Sequence, residues 1–173
     1  SSSYTTVLGS SLTSNGVIYA KNAVVRLQGE LTGKYTVVAS GSTKGTVYLD
    51  NDVTYQYDPR DYPGSDDMLG IVAENYVYVT DNTANSSDIN IDATIFCKNG
   101  GFGAQNYSSR GVDGYINLLG GIIQYQRQAV GTTSGGYITS GFLKRYKYDD
   151  RFMTESPPSF PTTNSFEIVS WYE

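Results

Sequence analysis

Four aspartates in one loop are the residues of this chain best suited to bind a metal ion. They lie within ten residues that also hold two prolines and a glycine, and they are Asp58, Asp61, Asp66 and Asp67. Ca²⁺ takes several oxygen ligands, which a flexible acidic loop can supply. The spacing fits no EF-hand, and aspartate, proline and glycine also form ordinary turns. The loop is therefore a calcium candidate, with a plain turn as the alternative, and no other cofactor is expected.

A second charged group, Asp149-Asp150-Arg151, follows a predicted strand. Acids beside arginine could cleave carbohydrate on a β-helical scaffold, whereas a solvated turn uses the same residue types. Glycoside hydrolysis needs two carboxylates at a defined separation, which a sequence does not reveal. The chain has no histidine, so it lacks the commonest general base and any Ser-His-Asp triad. We therefore expect a protein that is not an enzyme and has no catalytic residues.

Tyrosine is frequent, with 16 residues in a chain of 173. Exposed tyrosine rings can stack on sugars, but they also form cross-strand ladders that stabilise sheets, and the ladders are the favoured interpretation. The residues concerned are Tyr55, Tyr57, Tyr62, Tyr76, Tyr78, Tyr125, Tyr146 and Tyr148. The basic run 144–147 is expected to form an exposed strand face, which could pair with an acidic patch on a neighbouring subunit.

Strands must position these side chains, because the chain repeats a short alternation of apolar and polar residues that is interrupted by a small or turn-forming residue. The pattern occurs at 25–31, 47–53, 89–95, 116–122 and 138–142. Alternation predicts a strand and the small residue a corner. The corners are 22 residues apart from Leu27 to Leu49, 27 from Ile91 to Leu118, and 20 from Leu118 to Ile138. Such spacing is typical of stacked coils of a β-solenoid.

The sequence therefore predicts an all-β fold: a single-stranded parallel β-helix (β-solenoid) that forms one domain over residues 1–173. Residues 1–22 are expected to form an N-terminal arm and first strand, and residues 152–173 a C-terminal cap that closes one end of the core. A β-sandwich is the alternative, since it also has short strands at regular spacing. Two glycine-rich segments are not predicted as strands, namely 100–104, expected to be a turn or kinked edge, and 131–136, expected to be a flexible tip.

Composition excludes some classes of function. The net charge is −5, from 12 basic and 17 acidic residues, and no basic cluster marks a nucleic-acid surface. No apolar run is long enough to span a membrane. Abundant Tyr, Ser, Thr, Asn and Gly with few charges is typical of secreted or surface proteins. Cys97 is the only cysteine, so no internal disulfide forms, and its strand context predicts a buried, inert thiol.

The sequence does not begin with Met and shows no signal peptide, so we expect a processed or excised piece of a longer protein. Several stretches of its second part are distinctive, at 65–75, 91–96, 102–107, 120–124, 146–152, 157–163 and 166–173. With these stretches the chain resembles, over residues 45–173, an uncharacterised bacterial family called domain of unknown function 4900. That domain often follows a pilin-like or PilX-like N-terminal segment in predicted surface proteins. The apolar N-terminal helix of such a segment is not found in this sequence.

The resemblance implies an extracellular or cell-envelope β-solenoid and implies no activity. We expect a structural subunit of a surface appendage or filament that assembles through strand edges or solenoid ends. Its expected partners are copies of itself or other envelope or pilus proteins, with no nucleic acid and no membrane span of its own. The alternative is a polysaccharide-binding adhesin or a carbohydrate-active β-helix protein, with glycans as ligands along a tyrosine-lined face.

Overall fold

The computed structural model describes residues 15–161, and within them the chain is all-β, as the alternating pattern predicts. The strands are β1 (Val17–Ala20), β2 (Val25–Leu31), β3 (Lys34–Ala39), β4 (Val47–Tyr55), β5 (Met68–Ala73), β6 (Val77–Val79), β7 (Ile89–Asp92), β8 (Thr94–Cys97), β9 (Phe102–Ala104), β10 (Val112–Leu119), β11 (Ile122–Gln124), β12 (Gly131–Ser134) and β13 (Tyr137–Lys147). Two short 3-10 helices, Thr83–Asn85 and Asp150–Met153, complete the elements of this part of the chain.

The strands form two sheets whose neighbours run almost entirely parallel. Sheet A has the order β1-β3-β5-β8-β11, and every adjacent pair is parallel. Sheet B contains the other strands, in the order β12-β13-β10-β7-β4-β6-β9, with β2 also paired to β4. The one antiparallel pair among the described residues is β12 with β13. Parallel neighbours require a crossover between them, and here the chain returns to each sheet after passing through the other.

Strand β4 divides sheet B into two branches. Its first part pairs with β6, with Leu49 opposite Val79, and β6 then pairs with β9. Further along, Val53 of the same strand lies opposite Ile91 of β7, which leads to β10 and β13. The neighbouring strand β2 also shifts its register relative to β4, between Leu27 and Gly29. Strand β4 therefore changes its neighbour in sheet B from β6 to β7 along its length.

The core consists of aliphatic side chains from both sheets, stacked in register from strand to strand. In sheet A, Val37 lies opposite Ile71, which lies opposite Ile95. In sheet B, Ile91 lies opposite Leu118. All of these side chains belong to one buried cluster. Each fully buried Leu or Ile stabilises the fold by roughly 1.5–3 kcal/mol, so the repeated alternation in the sequence is also the main source of stability.

If equivalent corners stack, the predicted spacing implies three in-register pairs, and two of them occur. Leu27 lies opposite Leu49, and Ile91 lies opposite Leu118. The third prediction is wrong, because Leu118 lies opposite Tyr146 rather than Ile138. Ile138 instead pairs with Thr133 in the antiparallel hairpin of β12 and β13. Alternation has the same period in a hairpin and in a parallel coil, so the pattern alone could not distinguish them.

Both glycine-rich segments contain short strands, which lie at the two ends of the order of sheet B. The first is therefore an edge, one of its two predicted alternatives, whereas the flexible tip predicted at 131–136 is wrong. Phe102–Ala104 forms β9 and Gly131–Ser134 forms β12. In β9 the glycine is needed because another part of the chain packs closely on the strand. A Cβ built on Gly103 would lie 2.7 Å from the Cβ of Gln128. Glycine inside a strand marks close backbone approach here, and not a turn.

The described part of the predicted C-terminal cap lies along the outer face of sheet A. Leu69 and Ile71 are buried in the core, so Gly70 between them faces outwards, and Phe160 packs against it. Nearby, the Lys34 Nζ and the Glu155 Oε2 are 2.7 Å apart. The strap, defined as residues 155–160, thus crosses β3 and β5. The rest of the predicted cap, 162–173, and residues 1–14 of the predicted arm lie outside the described residues.

Candidate functional site

The acidic loop uses its best-placed carboxylate to hold the backbone. Asp67 is fully buried, and it accepts hydrogen bonds from the backbone N–H of Gly33 at 2.5 Å and of Tyr57 at 2.9 Å. Asp58 forms a two-oxygen ion pair with Arg60, which holds the pKa of that carboxyl below its ordinary value. Asp67 therefore fastens the loop to the end of β4 and the start of β3.

The calcium candidate does not gain support from this geometry. Asp61 and Asp66 are exposed. Over residues 15–161, no group of three or more His, Cys, Asp or Glu side chains is arranged to hold a metal ion. The four loop aspartates thus do not converge, because Asp67 turns inwards to the backbone and Asp58 turns to Arg60.

The second charged group also has a structural role. The Arg151 guanidinium pairs with Asp149 at 2.7 Å, donates to the backbone oxygen of Ser65 at 3.0 Å, and lies 5.4 Å from the ring centre of Tyr55. Asp149 is buried, whereas Asp150 is exposed. These contacts join the segment after β13 to the acidic loop. They give Asp149 and Arg151 a stabilising function that their types alone did not reveal.

The tyrosines form ring pairs across and along the strands. Tyr48 lies opposite Tyr78 with ring centres 6.2 Å apart, and Tyr76 stacks on Tyr78 at 5.2 Å. Arg26 extends this row, with its guanidinium 5.4 Å from the Tyr48 ring. Aromatic pairs of this kind stabilise neighbouring strands. Tyr125, in contrast, is 80% exposed.

A groove crosses the outer face of sheet B, and we call it the polar groove. Its volume is about 510 Å³. Four strands form its floor, namely β4, β7, β10 and β13, and the acidic loop forms its wall with Asp58 and Arg60. On the floor, Asn90, Asn117 and Arg145 lie opposite one another in register. The groove therefore runs across the strands and along the direction in which they stack.

A chain of amide hydrogen bonds lines this floor. Asn117 Nδ2 donates to Asn90 Oδ1 at 3.1 Å, and Asn90 Nδ2 donates to Asp52 Oδ2 at 3.1 Å. Asp52 also accepts from the backbone N–H of Asn90 at 2.8 Å. One end of the row is thus acidic, and the next residue at the other end is the cation Arg145, whose guanidinium stacks 3.3 Å from the ring centre of Tyr115.

The two carboxylates of the groove have opposite pKa shifts. Asp58 lies beside Arg60, so its pKa falls. Burial raises the pKa of Asp92, although its carboxylate accepts a hydrogen bond from the backbone N–H of Tyr55 at 3.0 Å. Sequence reasoning missed Asp92 and the two asparagines of the floor. The two asparagines could have been found from the sequence, because Asn90 and Asn117 occupy the same position in two copies of the alternating unit.

The two outer strands of sheet A lie at opposite ends of the stack. Within residues 15–161, β1 pairs only with β3, and β11 pairs only with β8. Ile123 of β11 is 52% exposed. Near this end, a second cavity of about 470 Å³ is lined by Val130, Phe142 and the cations Arg127 and Lys144. Burial lowers the pKa of Lys144, and the nearby charge of Arg127 lowers it further.

The chain matches no family model, no curated protein and no solved structure. The resemblance to domain of unknown function 4900 therefore stays a prediction. Within residues 15–161 no helix has the length and apolar character that crossing a membrane requires.

Proposed function

We propose that the chain is a parallel β-solenoid that serves as a non-enzymatic structural subunit of an extracellular or cell-surface appendage. Two features support the solenoid interpretation over a sandwich. Among residues 15–161 all strand pairs but one are parallel, whereas β-sandwiches are built from antiparallel sheets. Equivalent side chains also stack in register through several strands, as with Val37, Ile71 and Ile95.

The observation that carries the assembly proposal is the position of the two edges of sheet A. Strands β1 and β11 each have one partner strand among residues 15–161. Unpaired strand edges present N–H and C=O groups that pair readily with another chain. Since all strands of sheet A run in one direction, β11 of one subunit could pair with β1 of the next as a continuation of the same sheet.

Such a contact is head-to-tail and joins two different surfaces. A head-to-tail contact without ring closure produces an open filament. The proposed partners are therefore copies of the chain itself, with other envelope or pilus proteins at the filament ends. The composition, which is rich in Tyr, Ser, Thr, Asn and Gly, supports the proposed location at the cell surface.

A charge on the edge of β11 tests this proposal. Ile123→Lys places an ammonium group on the exposed side of the edge strand, a device that blocks edge pairing in natural sheets. Val112→Lys is the matched control, because Val112 is 56% exposed but lies in β10 of sheet B, away from the two edges of sheet A. Sedimentation and electron microscopy are run over a rising concentration series.

The expected result is concentration-dependent filaments for the parent chain and for Val112→Lys, and monomers for Ile123→Lys. Melting curves of the monomeric forms confirm that all three proteins fold. A parent chain that stays monomeric at millimolar concentration contradicts the proposal, as does equal assembly of the two variants.

A further inference from the structure

We infer that the polar groove binds an extended, carboxylated polysaccharide, a function that is independent of assembly through strand edges. The groove is open and crosses four parallel strands. Amide and cationic side chains form a row on its floor, and the acidic loop forms a wall beside that row. The ligand class follows from three properties of the row: its spacing, its hydrogen-bonding groups and the sign of its charge.

Spacing points to a linear polymer. Neighbouring strands of a sheet lie about 4.8 Å apart, so in-register side chains repeat at that interval along the groove. Asn90, Asn117 and Arg145 occupy three successive strands at one such position. This interval is close to the advance of one sugar unit in an extended chain. Successive sugar units can therefore meet successive strands.

The hydrogen-bonding groups suit hydroxyls. An amide carries both donors and an acceptor, and Asn117 uses one donor for Asn90. Its remaining amide hydrogen and its oxygen keep capacity for a ligand that both donates and accepts. Sugar hydroxyls do both, whereas a phosphate or a sulfate group offers only acceptors.

The cations at one end supply the charge selectivity. Arg145 and Lys147 lie side by side along the outer face of β13 and line the groove. The ion pairs within residues 15–161 involve neither of them. The guanidinium carbon of Arg145 lies over the ring of Tyr115, 3.3 Å from its centre. A guanidinium binds a carboxylate through two parallel hydrogen bonds, so a uronate fits this end.

The same groove disfavours a dense polyanion. Asp52 lies at one end of the amide row and Asp92 lines the floor, while Asp58 on the wall is paired with Arg60. The whole chain is also acidic, with a net charge of −5. Nucleic acids and heavily sulfated chains would be repelled by these groups. A polymer with one carboxylate per sugar or per disaccharide has a charge density that two cations can match.

Affinity electrophoresis and calorimetry with the full chain test the inference. The probes are polygalacturonate as the carboxylated polymer, dextran as the neutral one and dextran sulfate as the dense polyanion. The expected order of affinity is polygalacturonate first, with at least tenfold weaker binding of both others. Equal or tighter binding of dextran or dextran sulfate overturns the proposed ligand class.

A charge-matched variant pair tests the location. Arg145→Gln combined with Lys147→Gln should weaken polygalacturonate binding at least tenfold. Lys21→Gln combined with Lys98→Gln is the control for two lost exposed charges, because these lysines follow β1 and β8 of sheet A, away from the groove, and this variant should bind as the parent does. Unchanged binding by the double variant overturns the site. Filament formation by the double variant is measured separately, so failure of the groove is distinguishable from failure of assembly.

Discussion

The ring of Phe160 packs against Gly70 on the outer face of sheet A. A Cβ built on Gly70 would lie 2.5 Å from Cδ2 of that ring, so the missing side chain of one residue provides the space for the other. The strap is therefore held by an interlocking contact in addition to the ion pair between Lys34 and Glu155.

Truncation of this ring should destabilise the fold. Phe160→Ala is expected to lower the free energy of unfolding by roughly 2 kcal/mol, less than a fully buried phenylalanine because the ring is partly exposed. Met153→Ala serves as control, since Met153 is 71% exposed. Urea titration measures both. Equal midpoints for the two variants would show that the strap adds nothing to stability.

Asp67 should be important for stability and not for metal binding. Asp67→Asn replaces one carboxylate oxygen by an NH₂ group, which faces a backbone N–H of Gly33 or Tyr57. An unsatisfied buried group costs about 1–3 kcal/mol, and thermal unfolding should show this loss. The exposed neighbour substitution Asp66→Asn should leave the melting temperature unchanged. A melting temperature for Asp67→Asn equal to that of the parent would be inconsistent with the role of Asp67.

Calcium should have no effect on the melting temperature. The carboxylates of Asp67 and Asp58 are directed to the backbone and to Arg60, and those of Asp61 and Asp66 are exposed. A ligand stabilises a fold only in proportion to its binding to the native state. Unfolding is measured in excess CaCl₂ and in EDTA. A rise in calcium that EDTA reverses would restore the loop as a metal site.

The structure shows which features could be predicted from the sequence. Alternation predicts the strands that contain Leu49 and Ile91, because each buried position needs an apolar side chain on a period of two. The role of Asp67 could not be predicted, because its partner Gly33 lies 34 positions away. Register after Leu118 failed for a similar reason: the hairpin inserts residues that keep the same local alternation. Long-range placement, and not local pattern, decides such features.

Cys97 should react slowly with thiol reagents in the native state. Burial raises the pKa of its thiol to about 12, whereas a free cysteine has a pKa near 8.5 and reacts as the thiolate. Folding therefore favours the protonated thiol of Cys97. The contribution of this thiol to stability is full below about pH 8.5 and declines as the pH rises towards the folded pKa. Labelling at pH 8 with and without denaturant measures the protection. Rapid native labelling would contradict the buried position.

Asp92 should destabilise the fold at neutral pH. Its pKa is raised by burial, and Asp58 and Asp149 raise it further while Arg60 opposes them. Folding therefore favours the protonated form, and stability declines as the pH rises from the ordinary carboxyl pKa through the folded pKa.

Asp92→Asn keeps an oxygen that accepts from the Tyr55 N–H, and it replaces the ionisable carboxyl group by a neutral amide. It should melt above the parent at pH 7, with the difference shrinking towards pH 3. The exposed Asp61→Asn is the control. A difference between Asp92→Asn and the parent that does not depend on pH would contradict the assignment.

The contact of Glu155 with Lys34 joins residues that are 121 positions apart. During synthesis, β1, β3 and β5 emerge from the ribosome long before the strap that covers them. Until then, the face around Gly70 is left open to water and to other nascent chains. The ring of Phe160 can therefore cover Gly70 only after nearly the whole chain of 173 residues has been made.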